Sequence, residues 1–389
     1  MSSPDLTDAE RQAVQSVLNT PALSMGPQIQ AFEAAFVEYT GLRHAIGVNS
    51  GTAGLHLCVR AAGIGIGDLT LTTPFSFVAS SNVLLFENAI PVFVDVDART
   101  GNLDPIQLNE AARDLAGGDE KTRRKWLPRR GAKSHGNLKA VLGVDVFGQP
   151  ADWDPINQTA GELGLTVIED SCEALGAEYK GRKAGTLGKY GVFAFYPNKQ
   201  ITTGEGGVVV TDDGPGTSLM RALRNQGRAP GDTWLSHTYL GYNYRLDEMS
   251  AALGVVQMNR LEVLLRKREQ VAAWYGERLA EIPGVEIPVI EPFTTRMSWF
   301  VYVVRFSPGL DRDDLAKRLE KRGVPVRPYF LPIHLQPYMV ERFGYREGDF
   351  PVTEDLGRRG LAVPFSGVMT EEQVEFVCET IRSEIGRSG

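Results

Sequence analysis

The chain has 389 residues, long enough for two domains, because a single hydrophobic core stops growing well before that length. With 42% hydrophobic and 23% charged residues it has the composition of a soluble globular protein, and a net charge of −7 excludes a general nucleic-acid-binding role, which demands a basic face. Its three cysteines (Cys58, Cys172, Cys378) are far apart and odd in number, which argues against a disulfide framework and for a reducing, cytoplasmic compartment.

The opening residues MSSPDLTDAERQ have neither a basic start nor an apolar core, so no signal peptide is expected. No apolar run approaches the ~18 residues of a membrane span. The five histidines show no metal-site spacing, so no metal is expected. Pro27 to Tyr39 carries apolar residues at helical spacing, HAIGV (44–48) reads as a strand, and a helix opens at Ser50. Strands follow at Leu69–Thr73, Pro91–Val96 and Lys139–Phe147, then a helix at Asp154–Leu163 and the strand LTVIED ending at Asp170. Strands alternating with helices predict an α/β fold with a mostly parallel central sheet flanked by helices, and ligands in such folds bind beyond the carboxyl ends of the strands. The basic run KTRRKWLPRRGAK, Lys121 to Lys133, reads as an exposed insertion rather than a binding patch. Asp247 to Leu279 is periodic over its whole length and predicts one or two helices. Beyond it, the alternating strand Phe300–Phe306 and the amphipathic helices DRDDLAKRLEKRG and TEEQVEFVCETIRSEI predict a smaller α+β domain. The division is placed at 1–262 for the large domain and 263–389 for the small one.

Four elements carry chemistry-bearing residues at strand ends or in the loops after them. Asn49-Ser50-Gly51-Thr52 opens a helix, where free N–H groups and small residues suit an anion, although Ser50 reads equally as a plain N-cap. Asp170 ends an apolar strand with Glu173 three residues on, and either caps the next helix or faces a cation. Phe75 and Phe77 are core residues unless a flat group lies beside them. Lys199 follows the aromatic run GVFAFYPN and could be a solvated loop residue, a phosphate ligand or a nucleophile. Its glycines come after it, the reverse of a GxxxxGK[ST] loop, and GIGIGD (63–68) fails the dinucleotide fingerprint. A lysine in apolar surroundings loses its proton more readily and can form a Schiff base with a carbonyl. An anion cup, a ring stacker, a carboxylate and such a lysine together describe a pyridoxal phosphate site.

SGTAGLHL, PFSFVASSN, VIEDSCEALGAEYKGRKAGTLG, FAFYPNKQITTGEGG and GYNYRLDEMSAALG carry a resemblance to the DegT/DnrJ/StrS family of pyridoxal-phosphate-dependent nucleotide-sugar aminotransferases, of aminotransferase fold type I. It covers nearly the whole chain. The resemblance implies that Lys199 forms the internal aldimine and then shuttles protons, and that Asp170 keeps the pyridinium nitrogen protonated. It implies that Phe77 stacks on the ring, that Glu173 lies near its phenolic oxygen, and that Ser50, Gly51 and Thr52 hold the phosphate. Asn243 would reach the phosphate of a neighbouring subunit, making the unit a homodimer with shared active sites. The implied reaction moves an amino group from an amino acid, glutamate being the expected donor, to a keto carbon of an NDP-linked keto-deoxysugar. Arg327, Tyr329 and His334 are the candidates for the sugar side, with a packed domain interface as their alternative. The rival functions are a sugar dehydratase on the same cofactor, against which Lys199 argues, and a cofactor-retaining regulatory protein. One residue departs from the family pattern: Ala194 stands where relatives have a phosphate-binding serine, with Thr186 and Thr202 as possible substitutes. The stretch from Arg113 to Asn137 is longer than the family's and is expected to shape the entrance or the dimer edge.

Overall fold

The structure, a computed structural model, describes residues 2–132 and 136–386. Lys133, the end of the predicted basic run, lies outside the described residues. The centre is a seven-stranded sheet of β1 (His44–Val48), β2 (Leu69–Thr72), β3 (Ile90–Phe93), β4 (Leu138–Val144), β5 (Thr166–Asp170), β6 (Tyr190–Ala194) and β7 (Gly207–Thr211), in the order β1-β7-β6-β5-β4-β2-β3. β7 runs against both of its neighbours, and the pairs from β6 through β3 are parallel. Every residue of β2, β3 and β7 is buried, as near-continuous apolar strands must be when helices cover both faces of a sheet. Helices Gly51–Ala61 and Ala79–Phe86 belong to one core with Val48, Leu142 and Val192, and helices Pro105–Gly117 and Trp153–Leu163 to another with Leu71, Val92 and Val141.

The predicted strand Lys139–Phe147 is shorter in the structure and ends at Val144. Its continuation is turned by Asp145, whose carboxylate accepts from Ala151 N at 3.0 Å and Trp153 Nε1 at 2.8 Å. Phe147 then takes a left-handed backbone, φ 60°. The long segment Asp247–Leu279 is two helices, Glu248–Asn259 and Leu261–Leu279, separated at Arg260.

The 262/263 division falls in the first turn of helix Leu261–Leu279. That helix leads to a second, antiparallel sheet of β8 (Val285–Glu286), β9 (Tyr302–Phe306) and β10 (Gly360–Val363), in the order β8-β9-β10. Helices Arg312–Lys321 and Glu371–Gly386 close over it around Val304, Leu315, Leu319 and Ile381. The described part of the basic insertion is anchored rather than free. Leu127 and Pro128 are buried, Arg130 N donates to Phe343 O at 3.0 Å, and Arg129 pairs with Asp349. It therefore packs on the segment 343–349, and its charges are largely matched: Arg124 by Glu120 and Lys125 by Glu110.

Candidate active site

The start of helix Gly51–Ala61 lies over the ends of β6 and β7. Ser50 Oγ accepts from Ala53 N at 3.1 Å, so it caps the helix, and it keeps its own O–H to donate elsewhere. The amides of Gly51 and Thr52 open the helix and have no preceding turn to bond, which leaves them to an anion. A side chain on Gly51 would lie 2.7 Å from Ala194 Cβ and 2.8 Å from Cys172 Sγ. Glycine there, and a small residue at 194, are what allow the helix start to sit so close.

Next to this cradle three ionisable groups converge. Asp170 ends β5, is 6% exposed, and accepts from Cys172 N at 3.1 Å. Burial pushes its carboxyl upward, and the Lys199 charge draws it back down. Glu173 is raised by burial in the same way and accepts from Phe147 N at 2.9 Å. Lys199 Nζ lies 3.8 Å from Glu173 Oε1 and 3.7 Å from the centre of the Phe300 ring, largely enclosed. A cation over an aromatic face gains a favourable contact there. Tyr329 stacks on Phe147 with centroids 6.3 Å apart and feels the Glu173 charge, so it stands on the wall of the same site.

The remaining predicted residues divide. Phe77 is 64% exposed, whereas Phe75, two positions earlier, is core. Asn243 is exposed, with its carbonyl accepting from Asn49 Nδ2 at 3.3 Å, and its neighbours Tyr242 and Tyr244 stack 4.8 Å apart behind it. Arg327 is exposed and paired with Glu320 at 3.0 Å. His334 is fully buried, its Nε2 is 3.0 Å from Glu354, and its ring packs on Phe350. Neither threonine proposed for the missing hydroxyl is free, since Thr186 donates to Lys183 O at 2.6 Å and Thr202 to Phe195 O at 3.0 Å. Sequence reasoning did not single out Phe300, Phe147 or the buried pair Asp145 and Glu169. Glu169 was visible as an acid inside an apolar strand, but Phe300 meets Lys199 only through the fold. Among the described residues no cluster of His, Cys, Asp and Glu could hold a metal ion, and no helix is long and apolar enough to cross a membrane.

Residues 4–382 match the family model of the DegT/DnrJ/EryC1/StrS aminotransferase family. The chain belongs to this family. It is 36% identical to a GDP-perosamine synthase of Caulobacter vibrioides over 97% of this chain and 95% of that one. It is 33% identical to a dTDP-3-amino-3,4,6-trideoxy-alpha-D-glucose transaminase of Streptomyces venezuelae, over 97% and 91%. Among solved structures it is similar to S. venezuelae DesV in complex with a ketimine intermediate, with a TM-score of 0.84, 32% identity, and coverage of 96% and 93%. This aminotransferase has the α/β architecture of its neighbours and uses pyridoxal phosphate as cofactor. The residues of the site fit that group: a cradle of unbonded amides for a phosphate, a buried carboxylate that a ring cation would match, and an enclosed amine.

Proposed function

We propose that this aminotransferase moves an amino group from an amino acid, L-glutamate, to a keto carbon of a nucleoside-diphosphate-linked keto-deoxysugar. The observation that carries the reading is the convergence of one enclosed amine, Lys199, with two buried carboxylates beside a helix start that has free amides. Lys199 would hold the cofactor covalently through its amine, and the bound ring would supply an electron sink for charge developing at the substrate carbon. Asp170 then holds the proton of the ring nitrogen, because a buried carboxylate favours a cationic partner. The Lys199 amine would carry the proton to and from the reacting carbon. Ser50, Gly51 and Thr52 bind the phosphate, and with Ala194 lacking a hydroxyl, Thr52 at the helix start takes its place. Glu173 would lie near the ring's phenolic oxygen, and Phe77 would stack on the ring.

The sugar-nucleotide substrate is supported by the names of the similar proteins, one a GDP-sugar and one a dTDP-sugar enzyme. Tyr329 is the sugar-side residue best supported by position, and Arg327 is available at the surface. The active unit in this reading is a homodimer. Exposed Trp234, Leu235, Tyr239 and Leu240 in one loop, close in sequence to exposed Asn243, suit a partner surface on which Asn243 reaches the neighbouring phosphate. Three unpaired cysteines support a cytoplasmic setting, and the core that Val271, Tyr302, Val304, Leu315, Leu319 and Ile381 form among themselves supports a second domain that begins within helix Leu261–Leu279, although Phe330, Ile333, Met339 and Phe343 pack into the cores of the large one. Borohydride reduction tests the assignment. It is expected to fix the cofactor's mass on the peptide containing Lys199 and to fix none in Lys199→Ala; label on another lysine would refute it.

A further inference from the structure

Arg268 lies on the apolar face of helix Leu261–Leu279, between Leu264, Leu265, Val271 and Ala272, and is 4% exposed. A buried guanidinium normally has a carboxylate beside it. Among the described residues Arg268 has none, and desolvation alone lowers its pKa to about 10. Its donors go to four backbone carbonyls: Asn198 at 3.2 Å, Lys199 at 2.6 Å, Trp299 at 3.1 Å and Phe300 at 3.2 Å. These belong to two segments far apart in sequence, and each segment carries one member of the contact between Lys199 Nζ and the Phe300 ring. Trp299 adopts a left-handed backbone, φ 54°, which is unusual for a bulky residue and brings two successive carbonyls to one cation.

We propose that Arg268 is a positioning residue for the cofactor-binding lysine, clamping the Lys199 backbone to the Phe300 loop so that the amine is held where the cofactor's aldehyde arrives. The inference rests on the reading of Lys199 given above. The planar fork suits four fixed acceptors, whereas an ammonium has three donors and no fixed plane. The step it serves is a condensation in which the lysine nitrogen forms a C=N bond to the aldehyde carbon and the aldehyde oxygen leaves as water. A brace that only stabilised the fold would affect every ligand of the site equally. A brace that aims the amine affects only ligands that bond to it.

The test uses that distinction. Dissociation constants of pyridoxal phosphate and of pyridoxamine phosphate, which has no aldehyde, are measured on the full-length apoprotein for the native chain, Arg268→Lys, Arg268→Met and Lys199→Ala. The native chain should prefer the aldehyde, and Lys199→Ala should lose the preference. Arg268→Lys should lose about ten-fold of it, with pyridoxamine phosphate binding changed by less than about two-fold. If Arg268→Met fails to fold, Arg268→Lys, which keeps the charge and the stem, carries the comparison. A native preference that both Arg268 variants retain overturns the positioning role alone. Parallel weakening of both ligands also overturns it, in favour of a structural brace. A native chain whose preference matches that of Lys199→Ala overturns the lysine assignment, and the positioning role with it.

Discussion

At the scale of single residues, a second pair of buried carboxyls, Asp145 and Glu169, lies beside Asp170. Asp145 N donates to Asp170 O at 3.0 Å, which ties β4 to the end of β5. Ser171 Oγ links Asp145 at 2.6 Å and Glu169 at 3.1 Å, and Glu169 accepts from the amides of Gly185, Leu187 and Gly188. Burial raises Asp145 to about 6, and burial together with the Asp145 charge raises Glu169. An acid raised in the folded state contributes stability that is fully present below its unfolded pKa and is lost as pH rises through the folded value. For Asp145 the window runs from about 4 to about 6. Asp145→Asn keeps Oδ1 as acceptor for Ala151 and Trp153 and has nothing to ionise. Relative to the native chain it should gain stability between pH 4 and pH 8 in denaturant unfolding at the two pH values. Parallel pH profiles would contradict this account. Lys199 and Asp170 were legible in the sequence because a lysine after an aromatic run and an acid ending an apolar strand are each chemically out of place. Arg268 left a trace of the same kind, an arginine on an apolar helical stripe, but its four acceptors come from loops the sequence does not bring together. The enclosure of His334 by Glu354 and Phe350 was not legible, because a histidine in a late polar loop gives no sign of which side chains surround it.

At the scale of elements, the proposed phosphate site requires the close approach of one helix start to one strand end. Gly51→Ala puts a methyl group against Ala194 and Cys172, and the contacts at 2.7 and 2.8 Å require the backbone to shift. The variant should lose about 1–3 kcal/mol of stability and bind pyridoxamine phosphate about ten-fold more weakly. Titration and thermal melts measure both, and unchanged affinity would show that the helix start does not hold the phosphate. The element order was readable from alternating strand and helix patterns, and the helix opens at Ser50–Gly51 as its small polar residues indicate. The end of β4 was not readable, because the apolar run continues through Val146 and Phe147 and the turn is imposed by hydrogen bonds to Asp145. The break at Arg260 was equally hidden, since neither proline nor glycine marks it.

At the scale of the whole molecule, the proposed sharing of active sites between two chains can be tested with hybrids. If Asn243 completes the neighbour's phosphate site, Lys199→Ala and Asn243→Ala homodimers are both impaired. Hybrids of the two keep one intact site, so refolding an equal mixture should restore about a quarter of native activity. Two variants that do not complement each other would show that Asn243 serves its own chain. The central claim is that the enclosed amine at Lys199 serves amino transfer to a sugar nucleotide. Its most direct test is a single-turnover reaction of the cofactor-loaded protein with L-glutamate, following the visible band together with 2-oxoglutarate. The account predicts one 2-oxoglutarate per site as the band is lost, and recovery of the band on adding an NDP-keto-deoxysugar. A band that persists with glutamate, with no 2-oxoglutarate formed, would contradict it.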